Sequence, residues 1–423
     1  MMQLKACVAL SLSKGYKQTE IGVIPSDWEV IELESLTTKI GSGITPTGGS
    51  SVYKEDGRPF VRSQNVGWGN LLLDDIAYID DETHQTFPNT ELKLNDVFLN
   101  ISGASIGRSS YANSKLVGGN VNQHVCIIRP IENKLNPVYL NLFLISKNGQ
   151  KQIDSFQSGG NRQGLNIGQI RTFQIPVPKT IVEQTLIATA LSDADALISS
   201  LEKLIAKKRS IKQGAMQKLL QPKEGDGLSL SKGWEVKKLG DVGIIVTGST
   251  PPTQIKEYWN GSIPWITPTD ILNTQKDIFN SEREITNLGL QVIRKLPADT
   301  LLVTCIASIG KNAILRNDGA CNQQINAIIP SSKTNVEFLY FLIENSKPYL
   351  IGKAGITATM MISKKEFSEI TYSFPAFEEQ TRIATILSDM DAEITALETK
   401  LAKYKKVKLG MMQNLLMGKI RLV

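Results

Sequence analysis

Side chains able to perform acid–base or metal chemistry are few and scattered in this sequence. Only two histidines occur, His84 and His124, and no carboxylates cluster near them at the spacing of metal ligands. A catalytic metal site needs about three protein ligands brought together, so metal-assisted hydrolysis is not predicted. His124 is interpreted as a partly buried strand residue and not as a general base.

Motifs that hold nucleotides are missing as well. A P-loop needs a glycine five positions before its Gly-Lys pair, but Cys305 and Gln413 stand at those two places. The glycine-rich stretch 41–49 does not contain the G-x-G-x-x-G of dinucleotide sites. The strings nearest to the Asn-Pro-Pro-Tyr motif of adenine methyltransferases are Asn-Pro-Val-Tyr at 136–139 and Thr-Pro-Pro-Thr at 250–253. The chain is therefore predicted to bind no cofactor and to perform no catalysis of its own.

The bulk properties are those of a globular chain of two or three domains. It has 423 residues, of which 41% are hydrophobic and 21% charged, and it lacks the run of about 18 apolar residues that a membrane span needs. Its four cysteines form no C-x-x-C pair, which favours a reducing cytoplasm. We expect residues 1–15 to be a leader without fixed structure.

The positive charge is concentrated in two segments. The net charge is +6, and residues 202–223 and 398–421 each hold seven Lys or Arg against one Glu. Such segments are typical of proteins that bind an anionic partner, but they are equally typical of helix faces that lie in solvent. Charge alone does not decide between these two interpretations.

The sequence contains a duplication with a period of about 200 residues, which is too long for a solenoid repeat. Residues 183–220 align without a gap to residues 379–416, and 22 of the 38 positions are identical. Shorter motifs recur in the same order upstream: Trp-Glu-Val at 28 and 234, Gly-x-Thr-Pro at 43 and 248, Pro-Phe-Val at 59 and Pro-Trp-Ile at 264, Ser-Ile-Gly at 105 and 308, and Asn-Gln at 122 and 322. A module of one domain plus one helix has therefore been duplicated.

The repeated segments are predicted to be long helices, a central one within residues 179–222 and a C-terminal one within residues 376–423. Their apolar residues follow the heptad spacing of helices that wind around a partner, as in Ile383, Leu387, Met390, Ile394, Leu397, Leu401 and Tyr404. The simplest packing of two tandem copies is antiparallel, with a pseudo-twofold axis. Four acidic residues are interpreted as stabilising the positive helix starts: Asp193, Asp195, Asp389 and Asp391.

The segments upstream of the helices, residues 16–178 and 223–375, are predicted to be strand-rich α+β domains. Short runs of β-branched and aromatic residues alternate there with glycine turns. The predicted strands include 58–66, 96–101 and 124–129, and the predicted helices include 137–147 and 335–344.

One string near the start adds a specific likeness. The sequence Tyr-Lys-Gln-Thr-Glu-Ile-Gly-Val-Ile-Pro-Ser-Asp-Trp at residues 16–28, the Thr-Pro and Pro-Trp-Ile elements and the duplicated Glu-Gln-x-x-Ile-Ala-x-x-Leu-Ser-Asp-x-Asp helices resemble type I restriction-modification specificity subunits. The resemblance covers nearly the whole chain from Tyr16 onward. Pro-Phe-Val-Arg at 59–62 departs from the usual Pro-Trp-Ile form, which leaves the fold assignment intact.

The resemblance implies a division of labour between the two kinds of segment. In that family the two variable domains are target recognition domains that each read half of a bipartite DNA site. The repeated helices separate them and dock two methyltransferase subunits. The implied partners are double-stranded DNA, those two subunits and restriction/translocation subunits, in the cytoplasm and away from membranes. Adenosylmethionine, ATP and Mg are then expected on the partner subunits.

Candidate DNA contacts follow from side-chain chemistry within the repeated motifs. Arg, Lys, Asn and Gln read base edges, and Arg, Lys, Ser and Thr hold phosphates. In the first domain the candidates are Arg62, Gln64, Asn65, Arg108, Asn122, Gln123, Arg162 and Gln163; in the second they are Thr267, Thr269, Lys311, Asn322, Gln323, Gln324 and Thr357. The paired glycines Gly107 and Gly310 are interpreted as serving backbone geometry.

A second hypothesis stays open from the sequence. The chain could be a bipartite DNA-binding regulator that works without enzymatic partners. A third, a self-contained methyltransferase, would need the motifs that are missing.

Overall fold

The computed structural model describes residues 15–157, 164–222, 233–272, 275–354 and 360–422. The chain divides into two compact units, unit 1 with residues 1–201 and 400–423 and unit 2 with residues 202–399. Both boundaries lie inside long helices, so each unit combines a strand-rich domain with parts of two helices. Apart from Gly15, the predicted leader lies outside the described residues.

Unit 1 is mixed in its secondary structure. Its described strands are β1 (Tyr16–Thr19), β2 (Gly22–Pro25), β3 (Glu29–Glu32), β4 (Thr37–Ser42), β5 (Arg58–Val61), β6 (Ala77–Ile79), β7 (Val97–Asn100), β8 (Ser109–Tyr111), β9 (Asn120–Val121), β10 (Val125–Pro130) and β11 (Gln174–Val177). Its described helices are α1 (Asp81–Gln85), α2 (Pro137–Leu144), α3 (Lys147–Ser155), α4 (Ile167–Arg171) and the first part of α5 (Ile181–Leu219). Short 3-10 helices lie at Leu33–Leu36, Gly49–Val52, Ser63–Asn65, Pro88–Thr90, Gly103–Ser105 and Ser114–Leu116.

Unit 2 repeats much of this order among its described residues, without a counterpart of the β1-β2 hairpin and with one additional strand, Asp277–Ile278. Its described strands are β12 (Trp234–Lys238), β13 (Gly243–Thr247), β14 (Trp259–Ile266), β15 (Asp277–Ile278), β16 (Glu284–Ile285), β17 (Thr300–Thr304), β18 (Asn312–Leu315), β19 (Ala320–Cys321), β20 (Ile325–Pro330) and β21 (Thr371–Pro375). Its described helices are α6 (Leu239–Val242), α7 (Asn287–Gln291), α8 (Val336–Asn345), α9 (Lys347–Lys353), α10 (Lys364–Glu369) and the first part of α11 (Phe377–Leu415), with a 3-10 helix at Lys256–Tyr258.

The sheets of the two units correspond strand by strand. In unit 1 the order β4-β10-β7-β8 forms an antiparallel sheet, and in unit 2 the order β13-β20-β17-β18 repeats it, with β15 added at the edge. A second sheet has the order β6-β5-β9 in unit 1 and β16-β14-β19 in unit 2. In both, the last pair is parallel. The predicted α+β fold of two tandem domains is confirmed at this level.

The long helices contribute to the core of each unit. In unit 1, Ile187 and Leu191 of α5 are fully buried in one cluster with Trp28 and with Leu415 and Leu416 near the end of α11. In unit 2, Ile383 and Leu387 of α11 are buried with Met216 and Leu220 near the end of α5. Of the heptad residues predicted in α11, Ile383, Leu387 and Ile394 are therefore core residues, whereas the other four are only partly buried: Met390, Leu397, Leu401 and Tyr404.

The two helices run antiparallel within each unit, as the sequence predicted. In unit 1, Lys408 of α11 forms a 2.5 Å ion pair with Asp195 of α5. In unit 2, Lys212 pairs with Asp391 at 2.5 Å and Arg209 with Glu398 at 2.5 Å. Arg421, just after the end of α11, also pairs with Glu183 near the start of α5. In both units, later residues of one helix therefore lie against earlier residues of the other.

The interpretation of four aspartates as stabilising helix starts is wrong. The helices begin at Ile181 and Phe377, so Asp193, Asp195, Asp389 and Asp391 lie about three turns inside them, beyond the reach of the N-terminal dipole. Asp195 and Asp391 instead form the interhelical ion pairs.

Within the described residues, no helix is both long and apolar enough to cross a membrane.

Candidate nucleic-acid interface

The repeated motifs, which are distant in sequence, meet at the parallel strand pair of each unit. In unit 1, β5 ends at Val61, whose carbonyl accepts a hydrogen bond from the Asn122 amide at 2.9 Å. In unit 2, the Ile266 carbonyl at the end of β14 accepts from the Asn322 amide at the same 2.9 Å. The Pro-Phe-Val or Pro-Trp-Ile strand is thus joined to the Asn-Gln loop in both copies.

The Gly-x-Thr-Pro turns pack directly on these loops. The Gly43 amide donates to the Val125 carbonyl at 3.1 Å, and the Gly248 amide donates to the Ile325 carbonyl at 3.0 Å. A Cβ at Gly43 would lie 1.8 Å from the Val121 carbonyl oxygen, and a Cβ at Gly248 would lie 2.1 Å from the Asn322 carbonyl oxygen. Only glycine permits this backbone approach.

Asn122 and Asn322 shape the Asn-Gln loops from within. Each is 8% exposed, and its side-chain oxygen accepts the backbone amide two residues on, from His124 and Gln324 respectively, at 3.1 Å. These are Asx turns, which hold a loop in one conformation. They leave the next residues, Gln123 and Gln323, exposed.

The loops after β5 and β14 follow the same principle. The Asn65 side chain accepts from the Arg62 amide at 2.9 Å, and the Asp270 carboxylate accepts from the Thr267 amide at 2.8 Å. Asn65 is 1% exposed, and its side-chain amide also donates to the carbonyls of Leu72 and Asp75. The side chains of Gln64 and Thr269, one position earlier, are exposed in both copies.

Arg62 and Thr267 are held inside these loops. The Arg62 guanidinium donates to the Asp75 carbonyl at 2.7 Å and lies 5.5 Å from the Tyr53 ring centroid. The Thr267 hydroxyl donates to Asp270 at 2.6 Å. Both side chains position the loop in this structure.

The Ser-Ile-Gly loop of each unit is followed directly by one cationic residue, Arg108 in unit 1 and Lys311 in unit 2. Gly107 and Gly310 have φ values of +83° and +85°, a conformation that favours glycine, and their amides donate to the carbonyls of Asn100 and Thr304. The backbone interpretation of these glycines is confirmed. Arg108 and Lys311 follow them, partly exposed, and no side-chain hydrogen bond or ion pair engages either cation among the described residues.

In each unit a third segment bonds to the residue that follows strand β7 or β17. The Leu165 amide donates to the Ile101 carbonyl at 2.8 Å, and the Ile362 amide donates to the Cys305 carbonyl at 2.9 Å. The loops just before these residues carried three further candidates, Arg162, Gln163 and Thr357, which lie outside the described residues.

Two surface residues were missed or misread from the sequence. His124 is an exposed turn residue, not a partly buried strand residue, and its Nδ1 lies 2.5 Å from the Ser102 hydroxyl. Strand β10 begins one residue later because Asn122 forms the turn.

Trp68 was not singled out from the sequence, and its side chain is 54% exposed. The glycines on both sides of Trp68 could have indicated this exposure, because a tryptophan between two glycines does not belong to the apolar repeat of a strand or helix.

The described residues offer no evident catalytic group. Burial raises the pKa of Cys126 and Cys321 to about 12 and that of Cys305 to about 11, so these thiols stay protonated at neutral pH. No group of three or more potential metal ligands occurs among the described residues.

Together, the fold and these loops define a duplicated recognition protein, in which one hydrogen-bonded frame is built twice and presents different polar side chains. Residues 25–213 and 231–406 match a family described as the type I restriction modification DNA specificity domain. The chain belongs to this family, which confirms the predicted membership and the predicted role in DNA specificity. That role is recognition and not catalysis.

Known proteins support the match along almost the full length. The chain is 27% identical over 427 residues to the putative type I restriction enzyme MjaX specificity subunit of Methanocaldococcus jannaschii, covering 96% of this chain and 97% of that one. A solved structure of a type I restriction-modification system, described in terms of complex assembly and conformational transition, covers 94% of this chain at a TM-score of 0.61 and 16% identity. The crystal structure of the HsdS subunit from Thermoanaerobacter tengcongensis covers 94% at a TM-score of 0.53 and 16% identity. These two structures share the fold.

Proposed function

We propose that this chain reads a bipartite DNA site, with each unit reading one half. The observation that carries the proposal is the repeated hydrogen-bonded frame with different chemistry at equivalent exposed positions. Gln64 in unit 1 is replaced by Thr269 in unit 2, and Arg108 is replaced by Lys311. Such side chains contact base edges and phosphates, so two different half-sites can be read by one backbone geometry.

The proposed contacts are the candidates whose side chains reach solvent. They are Gln64, Arg108 and Gln123 in unit 1 and Thr269, Lys311, Gln323 and Gln324 in unit 2. Four of these side chains also bond to a neighbouring side chain, Gln64 to Asp75, Thr269 to Thr267, Gln323 to Thr250 and Gln324 to Asn322. The remaining described candidates are held inside their own loops and are proposed to position them: Arg62, Asn65, Asn122, Thr267 and Asn322.

The proposed partners supply the chemistry. We infer that two methyltransferase subunits and the restriction/translocation subunits dock on this chain and carry adenosylmethionine, ATP and Mg. The family match and the type I system among the structural neighbours support this assignment. Because its ligand is DNA, the chain is proposed to work in the cytoplasm.

A matched pair of substitutions tests the half-site assignment. Gln123→Ala and Gln323→Ala remove the same amide from equivalent loops, and the methylated motif of cells carrying each variant is read by methylation-sensitive sequencing. Gln123→Ala is expected to relax one half of the motif and Gln323→Ala the other, with about 1–3 kcal/mol of discrimination lost per bidentate contact. If either substitution changed both halves, the assignment would be wrong.

Reconstitution separates the subunit from a stand-alone regulator. The purified chain alone is expected to methylate no DNA, and adding two methyltransferase subunits is expected to produce methylation at the site. Methylation by the isolated chain would contradict the proposal. Full site-specific methylation by the methyltransferase subunits without the chain would contradict it too, and would favour the regulator.

A further inference from the structure

Trp68 is a large apolar side chain with no role in any core. It is 54% exposed. The sequence has five tryptophans, all within the described residues, and Trp28, Trp259 and Trp265 are at most 9% exposed while Trp234 is partly buried. Trp68 is thus the tryptophan of this chain with the most exposed side chain, and tryptophan is a residue type that binding surfaces favour.

The turn that carries Trp68 is fixed by its backbone. The Gly67 amide donates to the Asn70 carbonyl at 2.9 Å, and the Leu72 amide donates to the Asn65 carbonyl at 2.9 Å. The Gly69 amide donates to the Ser109 carbonyl at 2.8 Å, which ties the turn to β8. The indole is thus carried by a hydrogen-bonded turn with a glycine on either side of it.

This turn adjoins the proposed contacts of unit 1. Trp68 forms a parallel bridge with Ser109, the residue immediately after the unpaired cation of Arg108. The Asn100 side chain donates to the Ser63 carbonyl at 2.8 Å, which connects the strand before Arg108 to the loop of Gln64. An aromatic ring, a guanidinium and an amide are therefore carried by one continuous hydrogen-bonded frame.

The equivalent stretch of the unit 2 sequence contains no aromatic residue. Val66 and Ile271 are equivalent buried residues after the two capped loops, and unit 2 continues with Leu-Asn-Thr-Gln-Lys at 272–276. Any function of the indole therefore concerns unit 1 alone.

We propose that Trp68 is a wedge that stacks on a base at an opened step in the half-site read by unit 1. The inference rests on the proposed DNA-reading function. Apolar side chains inserted between base pairs unstack the step and kink the duplex. An exposed indole whose backbone is bridged to the residue after Arg108 has the chemistry for this, and the Arg108 guanidinium has the chemistry to hold a phosphate. Unit 1 would then select its half-site both by contacts to base edges and by how easily that base step unstacks.

The test uses the complex reconstituted with its methyltransferase subunits and duplexes carrying 2-aminopurine at successive places in the unit 1 half-site. The base that the methyltransferase itself extrudes is left unlabelled, because its opening does not depend on Trp68. Fluorescence is expected to rise at one step with the wild-type chain, to fall partly with Trp68→Phe and to disappear with Trp68→Ala. Affinity for the site should drop roughly 5- to 150-fold in Trp68→Ala, the range for loss of one base–aromatic stack.

Leu94→Ala is the matched control. Leu94 is 55% exposed and lies at the other end of the β7–β8 hairpin, where the next residue, Asn95, bonds to Ala112. This substitution should change neither the fluorescence nor the affinity. Thermal unfolding of all three variants should match the wild type, since both side chains are largely exposed.

Intrinsic fluorescence gives a second readout. Subtracting the spectrum of the Trp68→Phe complex from that of the wild type isolates Trp68 and removes the partners' tryptophans. Its quenching by iodide should be suppressed by the specific duplex and not by one lacking the site. An unchanged 2-aminopurine signal in Trp68→Ala, or an iodide-accessible Trp68 in the specific complex, would overturn the wedge. A wild-type complex with no preferred duplex would instead overturn the DNA-reading proposal.

Discussion

At the scale of single residues, the Arg421 guanidinium is held by four hydrogen bonds to two carboxylates of unit 1. It donates to both oxygens of Glu183, at 2.5 and 2.9 Å, and to the carboxylate of Asp27, at 2.9 and 3.1 Å. The Glu183 side chain is 4% exposed and also accepts from the Trp28 indole at 3.3 Å. These bonds raise the pKa of Arg421 and lower that of Asp27.

Arg421→Ala would leave the Glu183 carboxylate buried without its cation. Breaking a buried pair costs about 3–5 kcal/mol, and because 27% of the Arg421 side chain is exposed we expect a loss of about 2–3 kcal/mol. The measurement is the free energy of unfolding in urea. Arg382→Ala is the control, since Arg382 pairs with Glu379 at the surface and its loss should be hardly measurable. Equal losses in the two variants would contradict the account.

Asp80 gives a pH dependence at the residue scale. Hydrogen bonds from Thr83 and the Lys54 ammonium lower the pKa of Asp80 from 3.8 to about 2. A lowered pKa contributes stability that is present above about pH 4 and is lost as the pH falls through about 2. Asp80→Asn keeps an oxygen to cap α1 but cannot titrate. The difference in unfolding free energy between wild type and variant should therefore shrink from pH 4 to pH 2, and a difference independent of pH would refute this role of the carboxylate.

The residue types predicted which motifs form the candidate interface better than they predicted the role of each side chain in it. The repeated motifs do meet within each unit, but the side chains of Asn65 and Asn122 in unit 1 and of Asn322 in unit 2 bond inward. Asn is chosen both for reading bases and for capping turns, and a single sequence does not separate these uses. The pairing of Trp68 with Ser109 joins positions too far apart in the chain for any local pattern to indicate.

At the scale of elements, close backbone approach at the Gly-x-Thr-Pro turn holds the interface loops in place. Gly43→Ala would place a Cβ against the Val121 carbonyl oxygen, where it would lie 1.8 Å away. Overpacking of this kind costs about 1–3 kcal/mol, and we expect the displaced Asn-Gln loop to weaken reading of the unit 1 half-site.

Gly214→Ala is the matched control for this prediction. Gly214 lies inside α5, and a Cβ there would meet nothing within 4 Å, so alanine should stabilise by about 0.5–1 kcal/mol. Thermal unfolding and the methylated motif are measured for both variants. A Gly43→Ala protein with wild-type stability and an unchanged motif would show that the turn does not hold the loop.

The helices were the most predictable elements. The repeat and its heptad spacing predicted helices within residues 179–222 and 376–423, and the structure has Ile181–Leu219 and Phe377–Leu415, because an apolar seam repeated over many turns has few alternatives. The predicted strands 96–101 and 124–129 were located to within two residues, but the predicted strand 58–66 ends at Val61 and is followed by a 3-10 helix at Ser63–Asn65. The strand order was not predictable, since the parallel pairs β5-β9 and β14-β19 join segments about 60 residues apart. Tertiary contacts decide such pairings.

At the scale of the whole molecule, the duplication supports the proposal that the two units read DNA separately. Each has its own core clusters and its own copy of the loop frame. Changes in one unit that leave the helices intact should then be energetically independent of the other. The sequence predicted this from the repeat alone, whereas the domain boundaries it gave, at residues 178, 222 and 375, stay predictions.

Exchange of one domain tests this account most directly. Residues 30–175 are replaced with the corresponding domain of a relative, the helices are kept, and the methylated motif of cells carrying the chimera and its partner subunits is sequenced. The account predicts that one half of the motif changes to that of the donor while the other half is identical to that of the wild type. A motif altered in both halves, or unaltered in both, would contradict the claim that each unit reads its own half-site.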